Sequence, residues 1–167
     1  MTDDGDRIER TIEIDAEPER VWELVSQPGW WINEGSIREH RIERDGDVSV
    51  VHDPQYGAFR IRTVQLDRPA YAAFRWLPQE GDNQDGSTLV EFWITAGTGG
   101  GVTLRVLESG FEALGVSATE RRKKIEENTE GWIVELAAAR SHLSPTTTTP
   151  AAASTSATAS TAAPRLP

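Results

Sequence analysis

The sequence predicts an α+β domain, a curved antiparallel sheet of six to seven strands wrapped around one long C-terminal helix. Three observations predict it. Short segments of alternating apolar and polar residues follow one another through residues 37–107, separated by turn residues and not by helices. One unbroken helical pattern then closes the folded part of the chain. A helix of that length cannot bury its apolar stripe alone, and the only partner this chain offers is the apolar face of its own sheet.

Residues 7–14 read as the first strand, with Ile8, Ile12 and Ile14 on one face and Glu9, Thr11 and Glu13 on the other. Glu17-Pro18 then starts a short helix, because proline is pre-set for the first helical position. Val21, Trp22, Leu24 and Val25 give that helix its apolar face. Gln27-Pro28-Gly29 ends it, and Trp30-Trp31 falls on a second short helical turn. Segments 37–44 and 48–52 are joined by Asp45-Gly46, a hairpin turn signal. Segments 59–66 and 71–77 flank Asp67-Arg68-Pro69-Ala70, and 79–87 reads as a polar loop. Segments 88–95 and 102–107 flank Gly97-Thr98-Gly99-Gly100-Gly101, a hairpin connection. Strands linked in this way form an antiparallel meander.

The last helix is the clearest element. Ser117-Ala118-Thr119-Glu120 is a capping box, in which the serine hydroxyl and the glutamate carboxylate take up free amides at the helix start. Ile125, Thr129, Trp132, Leu136, Ala139 and Leu143 then recur at three- and four-residue spacing. At 1.5 Å per residue the rod is roughly 39 Å long, and Pro145 stops it.

Residues 1–143 are therefore assigned to one domain and 144–167 to a disordered tail. Apart from Arg165 and Leu166 the tail holds only Ala, Ser, Thr and Pro, too little apolar surface to offset the entropy of ordering it. The net charge of −10 removes the phosphate-neutralising attraction that drives nucleic-acid binding, and it disfavours anionic membrane surfaces. With no cysteine there are no disulfides, thiolate metal sites or thiol nucleophile. The polar, acidic N-terminus and the lack of any long apolar run lead to the expectation of a cytoplasmic protein.

Several stretches carry a resemblance. They are Ile12-Glu13-Ile14-Asp15-Ala16-Glu17-Pro18-Glu19-Arg20-Val21-Trp22, Trp30-Trp31, and Leu66-Asp67-Arg68-Pro69 leading to Phe74-Arg75-Trp76. Val102-Thr103-Leu104-Arg105-Val106 follows with Glu108-Ser109-Gly110-Phe111, and then Gly131-Trp132 in the last helix. In these motifs and in its order of elements the chain resembles the START-like (SRPBCC) superfamily, whose architecture is the helix-grip fold. Within it, the chain is similar to the branch related to the activator of the 90-kDa heat-shock-protein ATPase, which also takes in polyketide-cyclase-like proteins. The resemblance implies a hydrophobic cavity between sheet and long helix. No cofactor is expected. The eukaryotic activator has an additional chaperone-binding domain, for which this chain has no room.

Composition and spacing point to the same kind of site. Six tryptophans are many for a domain of this size, and a buried tryptophan needs a partner for its N–H. Trp22 is assigned to core packing. Trp31, Phe59, Phe74, Trp76, Phe92 and Trp132 are candidates to line the cavity, with Ile125, Asn128, Thr129 and Leu136 on the helix wall. Asn128 and Thr129 sit one turn before Trp132, so each must hydrogen-bond backbone, water or ligand.

Catalytic signatures are absent: no nucleophile elbow, zinc-protease helix, phosphate loop or dinucleotide fingerprint occurs. His142 reads as a helix-end cation complementing the dipole. His40 and His52 read as solvated strand residues, without the neighbours a metal site needs. The Arg121-Arg122-Lys123-Lys124 cluster reads as a solvated face pairing with Glu126 and Glu127. The favoured expectation is a non-catalytic protein that binds a hydrophobic small molecule. A cyclase-, dehydratase- or hydrolase-like enzyme is the alternative, and it requires His40, His52, Arg60, Arg62 or Arg75 to face inward as an acid–base group. A chaperone ATPase cofactor is the third expectation.

Overall fold

The computed structural model describes residues 6–78 and 87–144. Most of the loop expected over 79–87, and all of the expected tail beyond Ser144, lie outside the described residues.

Strand β1 (Arg7–Ile14) leads into helix α1 (Pro18–Val25), which buries Val21, Trp22 and Val25. The second short helical turn is closed by Trp30 N–H donating to Gln27 O at 3.2 Å and Ile32 N–H to Gly29 O at 3.0 Å. Gly29 has φ +76°, and a Cβ there would sit 3.0 Å from both Val51 methyl groups. Only glycine lets this turn lie so close to the sheet. The meander follows as β2 (Arg41–Asp45), β3 (Val48–Asp53), β4 (Gly57–Asp67), β5 (Tyr71–Trp76), β6 (Leu89–Ala96) and β7 (Val102–Ser109).

All pairings are antiparallel, in the order β1-β7-β6-β5-β4-β3-β2. The Asp45-Gly46 signal corresponds to a two-residue hairpin, with Asp45 opposite Val48. At the β6–β7 turn, a Cβ on Gly101 would lie 2.6 Å from Ile14 O, so the turn can press against β1 only as glycine. The segment expected as strand from residue 37 begins pairing only at Arg41. Residues 37–40 instead run alongside as irregular chain, held by bonds from Arg38 and His40 described below.

The sheet curves around α2 (Ala118–Leu143), whose bounds agree with the sequence pattern. The Ser117 hydroxyl accepts from Glu120 N–H at 3.1 Å. At the other end Arg20 of α1 donates Nε to Leu143 O at 3.0 Å, taking up a carbonyl that the helix cannot satisfy itself. Ser144 closes the last turn by donating its N–H to Arg140 O at 2.9 Å. The core between the two layers contains Ile8 and Ile14 from β1, Val51, Ile61, Val90, Leu104 and Val106 from the sheet, and Trp132, Leu136, Ala139 and Leu143 from α2. Each large aliphatic side chain buried there contributes about 1.5–3 kcal/mol.

Candidate functional site

Strand parity decides which side chains can meet the helix. On β4 to β6 the buried series Phe59-Ile61, Ala72-Phe74-Trp76 and Val90-Phe92-Ile94 faces inward. On β7 that series is Val102, Leu104, Val106 and Glu108. The expected aromatic residues come together here. Trp31, carried on the turn after α1, is inserted between sheet and helix. Its ring centroid is 5.6 Å from Phe74, 5.7 Å from Trp76, 5.5 Å from Phe92 and 5.8 Å from Trp132. Phe59 packs edge-on against Trp76 at 5.9 Å, and Trp30 adds a ring 5.4 Å from Phe92. Tilted and edge-to-face geometries of this kind match the ring quadrupoles. Trp93 is on the opposite face of the sheet, under the guanidinium of Arg105.

On the helix wall, Leu136 is buried and Ile125 is partly buried against the same cluster. Thr129 returns its hydroxyl to Ile125 O at 2.6 Å, so its polarity is met by its own helix. Asn128 is buried and donates Nδ2 to Glu108 Oε1 at 3.3 Å.

Glu108 was not singled out as a site residue by the sequence reading. Trp132 Nε1 donates to its Oε1 at 2.9 Å and Thr88 Oγ1 to its Oε2 at 2.6 Å; the Trp76 indole bonds to it as well. Burial raises its carboxyl above the usual range, and the bonds from Thr88, Trp132, Asn128 and Trp76 pull the other way. A second buried carboxyl, Glu135, was also missed. Its Oε1 accepts from Asn33 Nδ2 at 3.2 Å and its Oε2 from Gly35 N–H at 3.2 Å. The same Asn33 amide donates to Trp30 O at 2.7 Å, which ties the tryptophan turn to α2 through one side chain. Burial pushes the Glu135 carboxyl up to about 7, against the bonds from Gly35 and Asn33 and the charge of Arg38, and with a smaller push from Glu34. Both residues had a sequence signal. Glu108 continues the inward alternation of Val102, Leu104 and Val106, and Glu135 falls one turn after Trp132 beside Leu136.

The five proposed acid–base groups do not gather at the aromatic cluster. His52, Arg60, Arg62 and Arg75 occupy the outer-face parity of β3 to β5. Arg60 donates to Pro78 O, Arg75 donates to Ser87 O, and Arg62 pairs with Asp47. His40 is a correction to the expected solvated strand residue: it lies before β2, its side chain is 4% exposed, and its Nε2 is 3.0 Å from Asp53 Oδ1. Arg38 joins the same oxygen at 3.3 Å, and the N–H groups of Gln55 and Tyr56 reach Oδ2. Burial would raise the Asp53 carboxyl, but the Tyr56 and Gln55 amides, His40 and Arg38 together hold it below the usual range. Attraction to that carboxylate is what draws His40 out of solvent. Among the described residues no group of His, Cys, Asp and Glu is placed to hold a metal ion.

A seven-stranded antiparallel sheet gripping one long C-terminal helix, with two short helical turns after the first strand, is a helix-grip fold. Solved structures share it. A protein of Mesorhizobium loti superposes with a TM-score of 0.61 at 17% identity, covering 81% of this chain and 94% of its own. The Aha1 dimer of Colwellia psychrerythraea gives 0.59 at 17%, covering 82% and 95%. DynU16, a protein of the dynemicin biosynthetic locus, gives 0.61 at 19%, covering 83% of this chain and 47% of its own. No family model matches the sequence. No curated protein matches it either. Among the described residues, no helix is long and apolar enough to cross a membrane.

Proposed function

We propose that the chain binds a hydrophobic small molecule between the sheet and α2, among Trp31, Phe59, Phe74, Trp76, Phe92, Ile125, Asn128, Thr129, Trp132 and Leu136. The observation that carries this is the placement of Trp31. The ring at the centre of the cluster belongs to a turn, not to the sheet or the helix, and its indole N–H is buried with no hydrogen-bond partner among the described residues. A finished core rarely leaves such a donor unpaired, whereas a binding interior keeps polar groups for its ligand. The likeness to Aha1 and DynU16 supports the fold of such a site and does not identify its occupant.

An enzymatic role needs an inward titratable group with a free position for the reacting atom. Glu108 and Glu135 are both buried, but each oxygen already accepts a bond, from Thr88, Asn128 and Trp132 at Glu108 and from Asn33 and Gly35 at Glu135. Binding without turnover is therefore the reading the geometry supports better.

The test is thermal unfolding of the full chain with a panel of apolar aromatic and lipid-like compounds. A ligand at a hundredfold excess over its Kd adds about 2.7 kcal/mol of stability and raises Tm. If no compound moves Tm, and native mass spectrometry of the purified protein shows no bound molecule, the proposal fails.

A further inference from the structure

The hydrogen-bonding groups of the interior are unequally used. On the acceptor side, Glu108 Oε1 takes Trp132 Nε1 and Asn128 Nδ2, and Glu108 Oε2 takes the Thr88 hydroxyl. Glu135 Oε1 and Oε2 take Asn33 Nδ2 and Gly35 N–H. Asn33 Oδ1 takes Arg38 N–H at 3.0 Å, and Trp30 O takes Asn33 Nδ2. The Thr129 hydroxyl donates its proton to Ile125 O.

On the donor side, the Nε1–H groups of Trp30 and Trp31 are both buried without a partner among the described residues. Their side chains belong to residues 3% and 1% exposed, and their ring centroids lie 6.1 Å apart in an edge-on contact within one apolar interior. An indole N–H cannot accept, and it cannot be relieved by rotating a proton as a hydroxyl can.

We infer that the ligand carries an acceptor oxygen, as a ketone, quinone or ester does, and no hydrogen-bond donor at the buried end, with Trp30 and Trp31 donating to that oxygen. This deepens the proposed function and rests on it. A buried N–H regains a bond only from an acceptor, whereas a ligand hydroxyl brings a proton that needs an acceptor of its own. Leaving one buried donor unpaired weakens binding by about tenfold or more. A hydrocarbon of the same shape would fill the space and still leave both N–H groups unmet.

The test uses the full chain and three bicyclic probes that share one carbon frame, 1-indanone, 1-indanol and indane. Titration is followed by the indole N–H resonances of ¹⁵N-labelled protein. The expected result is that 1-indanone binds at least about tenfold tighter than the other two and moves the Trp30 and Trp31 N–H protons downfield, as a new hydrogen bond does. Trp30→Phe removes one donor along with part of the ring, so it should lower the ketone's affinity by a larger factor than that of indane. Trp31→Phe removes the other, and the wild-type resonances decide the matter if that variant does not fold. Equal affinities for all three probes, or tighter binding of the alcohol, overturn the acceptor inference and leave the hydrophobic site standing. If no probe binds and the compound panel also leaves Tm unchanged, the site itself is overturned, and this inference with it.

Discussion

Two regions of the interior each bury a carboxyl group against α2, and they are built in opposite ways. Around Glu108 the donors are side chains of fixed elements: Trp132 and Asn128 on α2, Trp76 on β5, and Thr88 at the entry to β6. Around Glu135 they belong to irregular chain, the Asn33 amide and the Gly35 backbone, with Arg38 and Glu34 acting on the charge from the same loop. The first region joins sheet to helix. The second joins the tryptophan turn to helix. The difference shows where the fold is set by rigid scaffolding and where the position of Trp30 and Trp31 depends on a group titrating near neutrality.

The largest effect should come from breaking the rigid region. Glu108→Leu leaves Trp132 Nε1, Asn128 Nδ2 and the Thr88 hydroxyl without their acceptor in a dry interior, and should cost about 3–5 kcal/mol in urea unfolding. A loss below about 1 kcal/mol would show that these donors find other partners and that the sheet–helix tie is not there.

The second test is pH. The folded Glu135 carboxyl sits at about 7, above its ordinary 4.5, so the folded state binds this proton more tightly than the unfolded state does. Its contribution is fully present below pH 4.5 and is lost as pH rises to 7, by up to about 3 kcal/mol. Glu108 is shifted in the same direction, so Glu135→Gln is the informative comparison: the variant should show a flatter stability profile across that window. An unchanged slope would assign the pH dependence elsewhere. Asp53 acts oppositely and outside the window, because its lowered carboxyl loses stability only as pH falls below 3.8.

Asn33→Ala removes the bridge between Trp30 O and Glu135. It should cost about 1–3 kcal/mol and move the pH window upward, because the Asn33 bond favours the charged carboxylate. Stability curves at pH 5 and pH 8 measure both effects. The smallest effect belongs to Ser117→Ala, which deletes the helix cap far from either carboxyl. It should cost about 1 kcal/mol with no change in the pH profile, and a change there would mean that the two regions are coupled through the helix.

Legibility in the sequence followed the range of the interactions involved. The long helix was legible to its ends because a cap, a 3.6-residue period and a following proline are all local. The strands were legible from alternation and turns, and Asn128 from its place beside the apolar stripe. Their facing was not, because a register is set by partners distant in sequence, and the irregularity in β4 between Thr63 and Gln65 resets parity within one strand. Glu108 and Glu135 show a different limit. Both stood at inward positions in otherwise apolar patterns, and a charged residue there reads as solvated unless its donors are known. Those donors lie 20 to 102 residues away. The His40–Asp53 contact and the Arg20 bond to the end of α2 were hidden for the same reason.

The sheet order has a consequence for how the chain is assembled. Strands β2 to β7 each pair with their neighbour in sequence, but β1, made first, has β7 as its one partner, with Arg7 opposite Ser109 and Ile14 opposite Val102. Until residues 102–109 are in place, Ile8, Ile12 and Ile14 have no ladder to join, and closing so long a loop is slow. Once β7 has joined β6, and until β1 docks on it, the edge of β7 is an open template. A β1 from a second copy would form the same ladder bonds there as its own does. Refolding at high concentration should therefore yield a strand-exchanged dimer, and size-exclusion chromatography against refolding at low concentration would reveal it.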